Sequence, residues 1–137
     1  MQTKKHEDLI VWQKAIELAT EVYRLSGMMP GGETHTLTDQ MKKTAVSIPS
    51  SIAQGQDSSL TKEYLRRLHS AKGSKSKLET QLLICVRLKY LTVIEIETAQ
   101  ALLSEIGRIL DSIISEPAIA HWQPAKPLAK LPAAPPA

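Results

Sequence analysis

Apolar residues return along this chain with helical rather than strand spacing, in four separate stretches. From about Asp8 to Ser26, ten apolar positions (Leu9, Val11, Trp12, Ala15, Ile16, Leu18, Ala19, Val22, Tyr23 and Leu25) cover roughly half a circumference at ~100° per residue. Gln13, Lys14, Glu17, Thr20, Glu21 and Arg24 fill the other half. Met28-Met29-Pro30-Gly31-Gly32 then predicts a stop and a turn. A second helix is expected from about Thr36 to Gln54, with Leu37, Met41, Thr44, Ala45, Ile48 and Ile52 on a narrow stripe. Pro49 inside it removes one backbone hydrogen bond and predicts a kink, and Gly55 predicts the stop.

The third helix is expected to start after Asp57-Ser58-Ser59, whose oxygens suit a cap, and to run to about Lys89. Thr92-Val93-Ile94-Glu95 matches a capping box and predicts a fourth helix to about Ser115, striped by Ala99, Leu102, Leu103, Ile106, Ile109, Leu110, Ile113 and Ile114. Four helices with short connections predict an all-α, antiparallel up-and-down four-helix bundle. The apolar arc of the first helix is wider than one seam of a bundle needs, which predicts a second contact, most simply with a neighbouring subunit.

Composition trims the domain and narrows the class. Of 137 residues, only 4% are aromatic and none is Phe, so the core must be aliphatic, which suits helices. After Glu116 come six of the eight prolines and seven alanines, a tail expected to be extended and disordered, with Trp122 as its one aromatic residue. The expected organisation is a flexible start at 1–7, a bundle at 8–116 and a Pro/Ala tail at 117–137. Cys85 is the single cysteine, which excludes an internal disulfide and a multi-thiolate zinc site. With no apolar stretch long enough for a signal peptide or membrane span, a soluble protein of the reducing cytoplasm is expected.

The net charge of +3 conceals two larger opposite ones. Lys62 to Lys89 carries eight bases against two acids, whereas Thr92 to Glu116 carries five acids against Arg108. Lys62, Arg66, His69, Gly73 and Lys77 follow helical spacing on the side opposite Tyr64, Leu68, Ala71, Leu78, Leu82 and Cys85. Such a stripe favours nucleic acid without reading its sequence, because each cation facing a phosphate releases condensed counterions. Gly73, lacking a side chain, would let a partner approach closely. Arg67 and Lys72 flank the stripe, and Lys42 and Lys43 add charge from the second helix. The opposing consideration is that a charged helix face is usually just a solvated face, and the acidic fourth helix can cancel the basic third. Lys75 projects toward the apolar side, where it must either snorkel or be re-aimed by a rotation of the helix at Gly73.

Catalytic chemistry finds no constellation. His6, His35, His69 and His121 are scattered, and none sits three residues after a Glu as di-iron bundles require. Ser59-Leu60-Thr61-Lys62 and Ser74-Lys75-Ser76-Lys77 match S-x-x-K without the companion motifs that give it meaning. Gly73-Ser74-Lys75-Ser76 lacks the preceding glycine and strand of a phosphate loop. No catalytic residue, metal site or cofactor is expected.

The segments, in order, resemble a known family. The pieces are Asp8-Leu9-x-Val11-Trp12-Gln13-Lys14-Ala15, Met29-Pro30-x-x-Glu33-x-x-x-Leu37-x-x-Gln40-Met41, and Ala45-x-Ser47-Ile48-Pro49-x-Ser51-Ile52-Ala53-Gln54-Gly55. Lys62-Glu63-Tyr64, Ala71-x-Gly73-Ser74, Leu78-Glu79-Thr80-Gln81-Leu82 and Lys89-Tyr90-Leu91 continue the match. Together they resemble the bacterial four-helix-bundle family named for proteins encoded in intervening sequences of 23S rRNA genes, over about residues 8–115. Helix four is also similar to the accessory variability determinant of diversity-generating retroelements. Ser51, Gln54 and Met29 stand where the family pattern usually has Asn, Glu and an aromatic. The resemblance implies a homopentameric barrel around a basic channel and, in the retroelement relatives, a reverse transcriptase and nucleic acid as partners.

Two function classes follow. One is a non-enzymatic, homo-oligomeric RNA/DNA-binding accessory protein using Lys42, Lys43, Lys62, Arg66, Arg67, His69, Lys72 and Lys77. The other is a protein-interaction scaffold for a reverse transcriptase or another protein, with little affinity for free nucleic acid. An enzyme built from a cleft between subunits is the least supported reading.

Overall fold

The structure is a computed structural model that describes residues 5–31 and 36–115; Trp122 and the expected Pro/Ala tail lie outside the described residues. Among the described residues there are four α-helices and no strands: α1 Ile10–Ser26, α2 Leu37–Gln56, α3 Thr61–Arg87 and α4 Glu97–Ile114. A single 3-10 turn, His6–Asp8, precedes α1. The apolar stripes converge on one core. Leu18, Val22, Leu25, Met41, Ile48, Leu68, Leu78, Leu82, Leu103, Ile106 and Leu110 are all fully buried. Helix α1 lies against α2 and α4, and α3 lies against the same two helices.

The wide arc of α1 divides on folding. Val11, Ala15, Leu18, Val22 and Leu25 enter the core, and Trp12 and Ala19 pack against it half-buried. Ile10, Ile16 and Tyr23 remain at the surface. The chain enters α1 later than expected, because Leu9 is extended and residues 6–8 form the separate turn. That turn is fastened from two sides. The His6 imidazole lies 3.0 Å from the Asp57 carboxylate at the end of α2 and packs edge-on against Trp12 at 5.1 Å.

Helix α2 runs through Pro49 without interruption and passes Gly55, which was expected to end it. Two side-chain hydroxyls, one on either side of the proline, bond back to carbonyls of the same helix. Thr44 donates to the Gln40 carbonyl at 2.8 Å, and Ser50 donates to that of Val46 at 2.8 Å. Gly55 serves close approach rather than termination. A β-carbon there would lie 3.0 Å from Arg67 Cβ and 3.3 Å from the Tyr64 carbonyl oxygen, so α3 crosses α2 where no side chain intervenes.

The expected cap of α3 is corrected as well. Leu60 occupies the N-cap position without a side-chain bond to the helix, and Ser58 Oγ instead accepts from the Leu60 N–H at 3.1 Å. Asp57 is already committed to His6.

The end of α3 is a Schellman motif. The Tyr90 N–H donates to the Cys85 carbonyl at 2.9 Å and the Lys89 N–H to that of Val86 at 2.9 Å. Lys89 holds the left-handed position at φ 65°, where a side chain costs ~1–2 kcal/mol that glycine avoids. Lys89→Gly is therefore expected to stabilise the fold by roughly 0.5–1 kcal/mol after glycine's own entropy cost. Chemical denaturation checks this, and an unchanged or lower midpoint counts against it.

The capping box before α4 forms as read. The Glu95 N–H donates to Thr92 Oγ1 at 3.1 Å, and the Thr92 N–H donates to Glu95 Oε1 at 2.9 Å. The regular helix nevertheless starts only at Glu97, because Ile96 turns inward at φ −92°, ψ 3° and is buried.

Candidate nucleic-acid interface

Helix α3 is 27 residues long, or about 40 Å at the helical rise, so it can carry both an inner and an outer face along its whole length. Tyr64, Leu68, Ala71, Leu78, Leu82 and Cys85 take the inner one. Lys62, Arg66, His69, Gly73 and Lys77 all fall on the exposed side. The space above Gly73 is open, since nothing lies within 4 Å of where a β-carbon would sit.

Ion pairing divides the eight sequence-derived contact residues, seven lysines and arginines and His69. Glu63, in the first turn of α3, collects two of them: Arg66 at 2.9 Å and Arg67 at 2.7 Å. The hydrogen bond from Arg67, reinforced by that from Arg66, holds the Glu63 carboxyl below its ordinary value. Lys72 crosses to α4 and meets Asp111 at 2.6 Å, lowering the Asp111 carboxyl in the same way. Lys42 lies 5.2 Å from the centre of the Tyr23 ring, a cation–π contact to α1. Lys43, Lys62, His69 and Lys77 have no ion-pair partner among the described residues. The acidic fourth helix thus neutralises the flank of α3 at Lys72 and leaves the outer stripe charged.

These two carboxylates set a pH response whose sign is fixed. Their folded-state values lie below the unfolded ones, so their contribution is present above the ordinary values of 4.5 and 3.8 and is lost as the pH falls through the depressed ones. Melting temperature is expected to decline as the pH is taken from about 5 to about 2. Substituting Glu63→Gln with Asp111→Asn should flatten that limb, and an equally steep decline in the double variant would remove the assignment.

Lys75 snorkels, and no rotation of α3 is needed to place it. Its stem lies across α4 at Gly107, with Cε 2.5 Å from where a β-carbon would be, and its ammonium reaches Glu79 at 3.0 Å. Gly73-Ser74-Lys75-Ser76 lies within α3, so it is a helical turn rather than a phosphate loop.

Sequence reasoning passed over the groove between α2 and α3. Gln40, Lys43, Thr44 and Ser47 of α2 face Ser74 and Lys77 of α3 across a cavity of about 310 Å³. Ser47 and Ser74 touch, Oγ to Oγ, at 2.7 Å. The only signal in the sequence was polarity at positions flanking the apolar stripes, and it acquires meaning once α2 and α3 are in register. A second, more open groove of about 660 Å³ lies between α1 and α2, where Tyr23 and Val46 sit among Asp39, Lys42, Lys43, Ser47 and Ser50. Among the described residues no group of His, Cys, Asp and Glu is placed to hold a metal ion, and no helix is long and apolar enough to cross a membrane.

Among the described residues, fold and surface together define an all-helical arrangement of four helices with a cationic outer edge on the longest of them. Residues 7–112 match the family model of the 23S rRNA-intervening sequence proteins, and the chain belongs to that family. The fold is also similar to a crystal structure, at 1.70 Å resolution, of a protein of unknown function from the S23 ribosomal protein family of Bacteroides thetaiotaomicron VPI-5482. That match has a TM-score of 0.72 at 21% identity, and it covers 78% of this chain and all of the other. No curated protein matches the chain. The family description names no enzymatic activity.

Proposed function

We propose that this protein is a non-enzymatic accessory protein of the cytoplasm that binds RNA or DNA through the outer face of α3 and works as a homo-oligomer. The observation that carries the reading is the set of basic side chains left without a partner after ion pairing. Lys62, His69 and Lys77 stay uncommitted on one exposed stripe, Arg66 stands among them, and Lys43 joins from α2. Arg67, Lys72 and Lys42 support the stripe from its flanks. A family tied by description to 23S rRNA fits a nucleic-acid partner. Filter binding to RNA and to DNA is expected to show retention at low salt that falls steeply as salt rises, with little sequence preference. Absence of retention at low salt, or retention indifferent to salt, sinks the reading.

In this reading residues 8–116 form an antiparallel up-and-down bundle that assembles as a homopentamer, with His6 tying the preceding turn to it and the Pro/Ala segment at 117–137 outside it. The order of contacts supports the topology. On α2 and α3, Met41 meets Cys85 and Ser47 meets Ser74, while on α3 and α4 Lys72 meets Asp111 and Lys75 meets Gly107. Exposed Ile16, Tyr23 and Val46 supply apolar surface for a self-contact. Light scattering is expected to return five times the chain mass of 15.1 kDa, and a monomer overturns the assembly.

A second reading rests on a different surface. Leu83, Ile84 and Leu88 near the end of α3, with Val93 and Ile94 just beyond, are exposed apolar residues on the same helix as the basic stripe or close after it. A nucleic acid has little use for them, whereas a protein partner such as a reverse transcriptase does. Leu83→Glu with Leu88→Glu should then abolish capture of such a partner while leaving the oligomer intact.

A further inference from the structure

We propose that the groove between α2 and α3 seats one phosphate group of a nucleic-acid backbone, held between Lys43 and Lys77 with the Ser74 hydroxyl as a donor. This rests on the nucleic-acid reading above and gives it a defined contact point. Three observations carry it. None of the six residues lining the groove is acidic, and its two lysines have no ion-pair partner among the described residues. Its volume of about 310 Å³ is at the small end of ligand cavities, roughly 300–1,000 Å³, so it suits one phosphate with part of its sugar. Finally, its hydroxyls have two alternative arrangements.

Ser47 Oγ lies 2.6 Å from the Thr44 carbonyl oxygen and 2.7 Å from Ser74 Oγ, yet it has one proton to give. When that proton goes to Thr44, Ser74 donates to Ser47 and the pair is closed. When it goes to Ser74, the Ser74 proton is free to point into the groove. The Thr44 hydroxyl takes no part, because it is already given to the Gln40 carbonyl at 2.8 Å. An anion between the two ammonium groups selects the second arrangement, since a charged acceptor makes the stronger hydrogen bond. Unlike the open stripe around Lys62, this is a recess with a neutral donor, so its contribution is separable from diffuse charge.

The test has two arms. In the first, amide resonances of the isotopically labelled protein are followed while inorganic phosphate is added, with sodium chloride at equal ionic strength as the reference. Phosphate is expected to shift Lys43, Ser47, Ser74 and Lys77 selectively, and Lys43→Ala with Lys77→Ala should abolish the response. Equal shifts with chloride, or none with phosphate, overturn the seat whatever RNA does.

In the second arm, anisotropy of a labelled single-stranded RNA compares Ser74→Ala, the double lysine variant and Lys62→Ala. Ser74→Ala should weaken binding by roughly 3- to 10-fold without changing the salt slope, because it removes a hydrogen bond and no charge. The double variant should reduce the slope by ~0.7 for the lost phosphate contact. Phosphate binding combined with RNA affinity indifferent to Ser74→Ala overturns the backbone assignment. Phosphate binding with no RNA binding by the unaltered protein overturns both that assignment and the nucleic-acid reading.

Discussion

Reversing Lys43, Lys62 and Lys77 together to glutamate is expected to lower affinity for RNA by on the order of 100-fold or more at low salt, with no loss of helical signal. The three residues are exposed and make no ion pairs among the described residues, so the fold loses no partner when they change. Binding loses the phosphate contact of Lys62 and the one shared by Lys43 and Lys77, and gains three repulsive charges, so the dependence on salt should flatten accordingly. Lys72→Glu is the informative contrast. Its ammonium is held 2.6 Å from Asp111, so reversal there places two carboxylates side by side, and stability should suffer more than affinity. Binding assays paired with thermal melts separate the two outcomes. A Lys72 reversal as damaging to binding as the triple reversal would move the interface onto the α3–α4 flank.

A second large effect is expected at Gly55. Gly55→Ala should destabilise the protein by roughly 1–3 kcal/mol, because the new methyl meets the Tyr64 backbone and Arg67 Cβ, neither of which can yield without moving α3. For a domain of this size that corresponds to a fall in melting temperature of roughly 5–15 °C. Gly73→Ala should do the reverse. With open space around it, the helix gains about 1 kcal/mol of propensity. Gly107→Ala lies between them, since the group in the way is the far end of a flexible lysine that can swing aside. One substitution at three helical glycines thus has three expected outcomes, ranked by what the methyl meets. A Gly55→Ala protein as stable as the parent would mean that α2 and α3 are not in the close contact described.

The four stripes were legible because burial repeats with the helix period, and positions such as Leu18, Ile48, Leu82 and Ile106 had one plausible direction. Helix ends were less legible, for reasons visible at particular residues. Asp57 had the right chemistry to cap α3, but His6, 51 positions away, takes its carboxylate. Gly55 looked like a stop and proved to be a crossing point, while the left-handed stop fell to Lys89, which no propensity rule favours there. At the candidate site, helical spacing placed Lys62, His69 and Lys77 on the exposed face. It had no access to which cations another helix had already claimed. Lys72 depends on Asp111, and the groove joining Lys43 to Lys77 depends on the register of α2 against α3. Both are set by tertiary packing and leave no local pattern.

Lys75 lying across Gly107 has a consequence for how this sequence can drift. The long side chain and the missing one occupy the same volume, so neither position is free while the other stays as it is. A bulkier residue at 107 becomes acceptable once 75 shortens, and a shortened 75 leaves a notch that a residue at 107 can fill. The two sites are expected to change as a pair, one on each helix, and a double-mutant cycle through Lys75→Ala and Gly107→Leu should show coupling where either change alone would suggest intolerance.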